Sequence, residues 1–335
     1  MKRVKTALLG FVLIILLLIP EGPARSQIAK GSQLFATYTA PAASMAPMWI
    51  AKEAGYFLKH GLDAKLIYIS GPLGTTALLA GEVAIGVIGG LSPIRAAVAG
   101  AKDLRIIGQT KKYMVASIVG IPEIKDVQDL RGRRVGINRL GSNAEIYTSA
   151  GISRFGLDPR RDVKYIQVGD AVTGLAALKS GAIDALTTVP PHNLFAAKAG
   201  FKTIVDITPL RIPFAATILV STKRSLDEKT ELLKRFMRGY AEAVHTFLTD
   251  AETTAKVISK YAKIEDREII DYSVRSEAAV MERSLDIDRG GVEFVLNYLK
   301  KDFPQAASID IENLLDRRLV NDLQESGFLK SLWKQ

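Results

Sequence analysis

Cysteine is absent from the 335 residues, and histidine occurs three times, at His60, His192 and His245, in unrelated parts of the chain. Without cysteine there is no disulfide, no thiolate metal site and no thiol nucleophile. The three histidines make no zinc motif, and no Gly-x-Ser-x-Gly nucleophile elbow occurs. Long low-complexity runs are missing. Beyond the first 20 residues, no apolar run is long enough to span a bilayer. These absences move the reading away from catalysis and toward a chain that works by shape and hydrogen bonding. Hydrophobic residues make up 48%, enough for a substantial core, and the length fits about two domains.

The first 26 residues have a separate pattern. Met1-Lys2-Arg3-Val4-Lys5 is basic, residues 6–19 form an apolar run, and Pro20 and a small-residue stretch through Ala24-Arg25-Ser26 follow. A basic region, an apolar region and a small-residue site together predict a cleavable secretory signal peptide over residues 1–26 and a periplasmic mature protein. The missing cysteine removes a lipid anchor and disfavours a Gram-positive surface protein. The leader carries a net charge of +3, which leaves +7 of the chain's +10. The remaining basic residues are interspersed with acidic ones; only Arg131-Gly132-Arg133-Arg134 and Arg160-Arg161 are dense. A nucleic-acid surface is therefore not expected, and a mildly basic surface would help to attract anions.

The rest reads as repeated strand, small-residue loop and helix. Strands are expected at about 33–39, 64–69, 83–88 and 104–109. One helix is expected from Pro47 to Lys59, entered by Ser44 as cap and stopped by Gly61. A second series has strands at about 134–137, 163–168, 183–187 and 203–205, with a helix opening at Gly141-Ser142-Asn143. Ala77-Leu78-Leu79-Ala80-Gly81 and Ala177-Leu178-Lys179-Ser180-Gly181 each end a helix before a buried strand. Two lobes of like build, or ordinary helix-stop chemistry, would both produce that echo. From Ser225 onward the apolar spacing is helical.

Glu53-Ala54-Gly55-Tyr56-Phe57, Gly61-Leu62-Asp63, Gly81-Glu82-Val83-Ala84-Ile85-Gly86, residues 129–136 and Gly181-Ala182-Ile183-Asp184-Ala185 occur in one order over about residues 34–250. That ordered set resembles the solute-binding proteins of ABC importers in the nitrate/sulfonate/taurine family, also described as SsuA/THI5-like or NMT1-like. The resemblance implies an α/β, type II periplasmic-binding-protein fold. Two α/β lobes, 34–114 with 216–335 and 115–215, would be joined by two hinge crossings near 113–116 and 214–217. A helical C-terminal extension would pack on the first lobe. It implies a small-molecule solute and a membrane permease with its ATPase as partners. A monomer is expected as the default for a freely diffusing binder, no cofactor is expected, and the isolated histidines give no metal site.

In such an architecture the ligand lies beyond the carboxyl ends of the parallel strands. The expected contacts from the first lobe are Thr39, Ala40, Ser44, Met45, Gly71, Thr75, Gly89, Gly90 and Ser92. From the second, Gly141-Ser142-Asn143 matches the Gly-Ser-Ser type loop of sulfonate-binding relatives. A helix N-terminus there would suit a sulfonate or carboxylate, although Ser142 or Asn143 could also simply cap the helix. Asp170 would accept from the ligand or cap its own helix. Relatives often carry Trp-Asp-Pro-Tyr where this chain has Val189-Pro190-Pro191-His192. The acid and the aromatic wall are lost, which argues against an amine-bearing ligand. Pro190 and His192 remain candidates at that rim. Met45 and Trp49 are candidates for an apolar wall, with Trp49 read first as a core anchor. The function expected is capture and delivery of a small polar or anionic solute (sulfonate-, carboxylate- or pyrimidine-like). A ligand-sensing subunit is the alternative. An enzyme using Glu145 and Asp170 as acid and base is disfavoured, since the cysteine-rich signature of pyrimidine-synthesising relatives is absent.

Overall fold

Glycines in the left-handed region divide the chain, as at Gly81 (φ 78°) and Gly181 (φ 73°), where a helix stops and a buried strand follows. The structure is a computed structural model that describes residues 32–69 and 71–334. The expected signal peptide lies outside the described residues.

The first series runs β1 (Ser32–Tyr38), α1 (Ala46–Glu53), α2 (Tyr56–Lys59), β2 (Leu62–Tyr68), α3 (Leu73–Ala80), β3 (Ile85–Ile88), α4 (Leu91–Val98) and β4 (Leu104–Tyr113). The second runs β5 (Ser117–Gly120), β6 (Arg134–Ile137), α5 (Asn143–Ser153), β7 (Lys164–Gln167), α6 (Ala171–Lys179), β8 (Ala185–Thr188), α7 (His192–Lys198) and β9 (Lys202–Asp206). The chain then returns through β10 (Pro213–Thr222). Helices follow: α8 (Lys223–Glu228), α9 (Thr230–Thr249), α10 (Ala251–Ala262), α11 (Arg267–Ala278), α12 (Arg289–Leu299), α13 (Arg318–Glu325) and α14 (Phe328–Leu332).

The strands form two sheets, ordered β2-β1-β3-β10-β4 and β7-β6-β8-β5-β9. These are one topology twice over: β1, β2, β3, β4 and β10 correspond to β6, β7, β8, β9 and β5. In each sheet the first three strands are parallel, and the fourth, the strand the chain enters on crossing from the other sheet, is antiparallel to both its neighbours. The echo at Gly81 and Gly181 is therefore architectural. Gly81 N–H donates to Leu78 and Glu82 N–H to Ala77; Gly181 and Ala182 repeat this on Leu178 and Ala177.

Several expectations change. The helix expected over 47–59 breaks in two, because Gly55 adopts φ 74° between α1 and α2. Ser44 does not cap it: it lies in a 3₁₀ turn, and Met45, with no capping side chain, precedes α1. β5 and β10 were not anticipated as strands. β10 already pairs with β4 at Pro213, and the return from the second sheet occupies the residues just before it. There the two connections run side by side, with Met114 N–H donating to Ile212 C=O at 3.1 Å and Ile207 N–H to Ala116 C=O at 3.0 Å.

Trp49 is fully buried and stacked on Tyr261 with ring centroids 5.1 Å apart. It anchors a core in which α1 and α2 pack on α9 through Met48, Phe57, Phe236 and Tyr240. A second core, including Ile118, Val135, Phe214 and Val292, joins both sheets. The C-terminal helices touch both halves. The Asn193 amide donates to the Tyr272 hydroxyl at 2.7 Å, Lys198 pairs with Asp266 and Glu268, and Arg160 pairs with Asp302. The dense basic clusters are likewise ion-paired, Arg131 with Asp162, Arg134 with Asp184 and Arg161 with Asp158.

Candidate functional site

A cavity of about 500 Å³ opens where the carboxyl ends of the parallel strands of the two sheets converge. Thr39 and Ala40 follow β1, Tyr68 ends β2, and Gly89 follows β3. From the other sheet, Asn138 and Arg139 follow β6, Gly169 and Asp170 follow β7, and Thr188 ends β8. Ser44, Met45, Gly71, Ser92, Ser142, Asn143 and His192 also line it.

Three expected contacts do not line the cavity. Thr75 is buried, with its hydroxyl 2.8 Å from that of Ser92, so it supports a lining residue from behind. Gly90 packs on the returning strand: its N–H donates to Ala215 C=O at 2.9 Å, and a Cβ would stand 2.5 Å from that oxygen. Pro190 is buried behind the wall, although Val189 before it and His192 two residues on do line the cavity.

The loop before α5 differs from a free anion-binding terminus. Gly141 N–H already donates to the Glu145 carboxylate at 2.5 Å. Glu145 also meets Arg95 at 3.4 Å and the Tyr298 hydroxyl at 3.2 Å. Ser142 takes the N-cap position, yet its hydroxyl donates to Arg139 C=O at 2.7 Å and does not cap the helix. Asn143 reaches across to the first sheet's side. Its Nδ2 donates to Ala216 C=O at 3.0 Å, and its Oδ1 accepts from Leu91 N–H at 3.5 Å. A Cβ on Gly89 would fall 2.3 Å from that amide, so glycine is what admits it. Glu145 is tied into this loop.

Asp170 does cap α6, accepting from Thr173 N–H at 2.8 Å and from its hydroxyl at 3.0 Å. These bonds hold its carboxyl below the usual range, so it is ionised at neutral pH. Burial pushes the His192 imidazole down to about 4 against the opposing charge of Asp170, so the ring is neutral at pH 7. Its Nδ1 and the Thr188 hydroxyl are buried without a hydrogen-bond partner among the described residues.

Two charged lining residues escaped the sequence reading. Lys111 on β4 is buried, and its ammonium meets Glu277 of α11 at 2.9 and 3.2 Å. Arg139 stands at the mouth, exposed, with its Cδ 3.6 Å from where a Cβ on Gly71 would lie. Its place between a strand and Gly141 was the only signal. Hydroxyls from Thr39, Ser44, Ser92, Tyr147, Thr187 and Thr217 complete the polar lining. Among the described residues, no group of three or more His, Cys, Asp or Glu could hold a metal ion, and no helix is long and apolar enough to cross a membrane.

The sequence profile described as NMT1/THI5 like matches residues 42–253. No curated protein matches the sequence. Solved structures do resemble it. A protein from Bordetella bronchiseptica RB50 has a TM-score of 0.76 at 20% identity, over 89% of this chain and 98% of that one. The alkanesulfonate-binding protein SsuA from Xanthomonas axonopodis pv. citri, bound to MOPS, gives 0.72 at 17%, over 86% and 99%. The periplasmic nitrate-binding protein NrtA from Synechocystis PCC 6803 gives 0.73 at 14%, over 89% of each chain. The chain thus has the type II periplasmic-binding-protein fold, two α/β lobes with a helical C-terminal extension.

Proposed function

The chain belongs to the NMT1/THI5-like family, and from that premise we propose that it is the periplasmic solute-binding component of an ABC importer. It captures one small polar or anionic organic solute between its lobes and delivers it to a membrane permease. The lobes are taken as residues 34–114 with 216–335, and 115–215, hinged at the paired connections. The observation that carries this reading is the cavity of about 500 Å³, lined from the strand tips of both sheets by hydroxyls, backbone and few charges. A solute that touches both lobes stabilises the closed arrangement by its own contacts, with no bond made or broken. The site residues assigned to it are Thr39, Ser44, Met45, Ser92, Ser142, Asn143, Asp170 and His192.

A thermal-shift screen of sulfonates, carboxylates, amino acids and pyrimidines tests the proposal. A solute present at about 100 times its Kd stabilises the folded state by about 2.7 kcal/mol. Ser142→Trp, which fills the cavity mouth, abolishes the shift. A screen without any response, or a shift that survives Ser142→Trp, contradicts the reading.

A further inference from the structure

We infer that the solute is a zwitterion, carrying an ammonium and an acid group with no net charge, and that Asp170 and Arg139 read those two groups. This rests on the solute-binding reading above and narrows its substrate class.

The charged residues lining the cavity are Lys111, Arg139 and Asp170. Lys111 is compensated from within by Glu277, which leaves one cation and one anion. These two stand on neighbouring strand tips. β6 and β7 pair in register through Ile137 and Gln167. The pairing continues into the loops, Val168 N–H donating to Ile137 C=O at 2.9 Å and Gly169 N–H to Asn138 C=O at 3.1 Å. The next residue on one side is Arg139, and on the other Asp170.

Neighbouring opposite charges ordinarily close into an ion pair. These do not: among the described residues Arg139 makes no ion pair, and Asp170 is tethered to the start of α6 by Thr173. The carboxylate keeps its charge because those donors favour the ionised form. A cation and an anion held apart at one cavity wall complement a solute whose own charges run the opposite way. A simple anion would meet Arg139 but also the field of Asp170, and it would find Gly141 N–H already occupied by Glu145. The acid missing at Pro190, after β8, is thereby replaced from the tip of β7 on the far side of β6, and an amine-bearing solute becomes the fitting one.

Calorimetry on the full protein tests this with β-alanine, γ-aminobutyrate and taurine against propionate, butyrate and ethanesulfonate. At least one zwitterion binds on the order of tenfold more tightly than its amine-free counterpart. Asp170→Asn keeps a capping side chain, so the unliganded melting temperature holds while the preference disappears. Arg139→Gln weakens zwitterion and monoanion alike. Equal or tighter binding of a monoanion, a preference that survives Asp170→Asn, or no binding by any of the six overturns the inference. If the broader screen still finds a solute, the solute-binding reading stands alone; if that screen is also silent, both fall.

Discussion

Lys111 and Glu277 lie 166 residues apart and form a nearly water-free ion pair at the cavity wall. Removing one partner of such a pair strands the other charge. Lys111→Met is therefore expected to destabilise the protein by about 3–5 kcal/mol, while Lys111→Met with Glu277→Leu recovers most of the loss. Urea denaturation of both variants measures it. His192 supplies a pH effect of known sign. The unfolded chain protonates this imidazole near pH 6.5 and the folded chain only near 4. Acidification through that window therefore favours unfolding, and it removes up to about 3 kcal/mol. His192→Gln should flatten the stability curve between pH 6.5 and 4; an unchanged slope in urea titrations would show that the buried ring is not responsible.

Helix α12 meets β10 with backbone against backbone. A Cβ on Gly291 would stand 2.6 Å from the carbonyl carbon of Phe214, whereas one on Gly290 makes only ordinary contacts with Asp288 at 3.5 Å. Gly291→Ala should cost about 1–3 kcal/mol by overpacking. Gly290→Ala should be neutral or mildly stabilising, as expected for an exposed helical glycine. Thermal melts of the pair distinguish helix propensity from close approach. At this scale the sequence was a good guide where local signals decide structure. Gly81 and Gly181 stopped their helices, the strand at Arg134–Ile137 fell at its expected bounds, and Asp170 capped α6. It failed where partners are distant in the chain. All of β5 and all of β10 except Pro213 are buried, and both strands sit at the connections, so no alternation marks them as strands. The strand-tip rule located most of the cavity wall, but it gave no warning that Thr75 turns its hydroxyl toward Ser92 or that Gly90 packs on Ala215. Lys111 sits inside a strand, where that rule does not look, and the standing of Arg139 beside Asp170 depends on the register of β6 with β7.

Across the whole molecule, the same strand order built twice brings two sets of strand tips to one cavity. The chain crosses between the sheets twice, into β5 and back into β10, and two close-running segments permit bending while limiting other motions. Asn143 spans the gap to Ala216 and Leu91. In the proposed mechanism this contact exists only when the lobes are together. Asn143→Ala should weaken solute affinity by about three- to tenfold, the scale of one hydrogen bond, with little change in the stability of either lobe; calorimetry with denaturation as control reads both. Solute capture as proposed requires that both lobes enclose one solute molecule. A crystal structure of the protein with a solute identified by the screen tests this most directly. The prediction is one molecule in the cavity, touching Thr39 or Ser92 on one side and Asp170 or His192 on the other. A solute bound on an outer face, or held by one lobe alone, would contradict it.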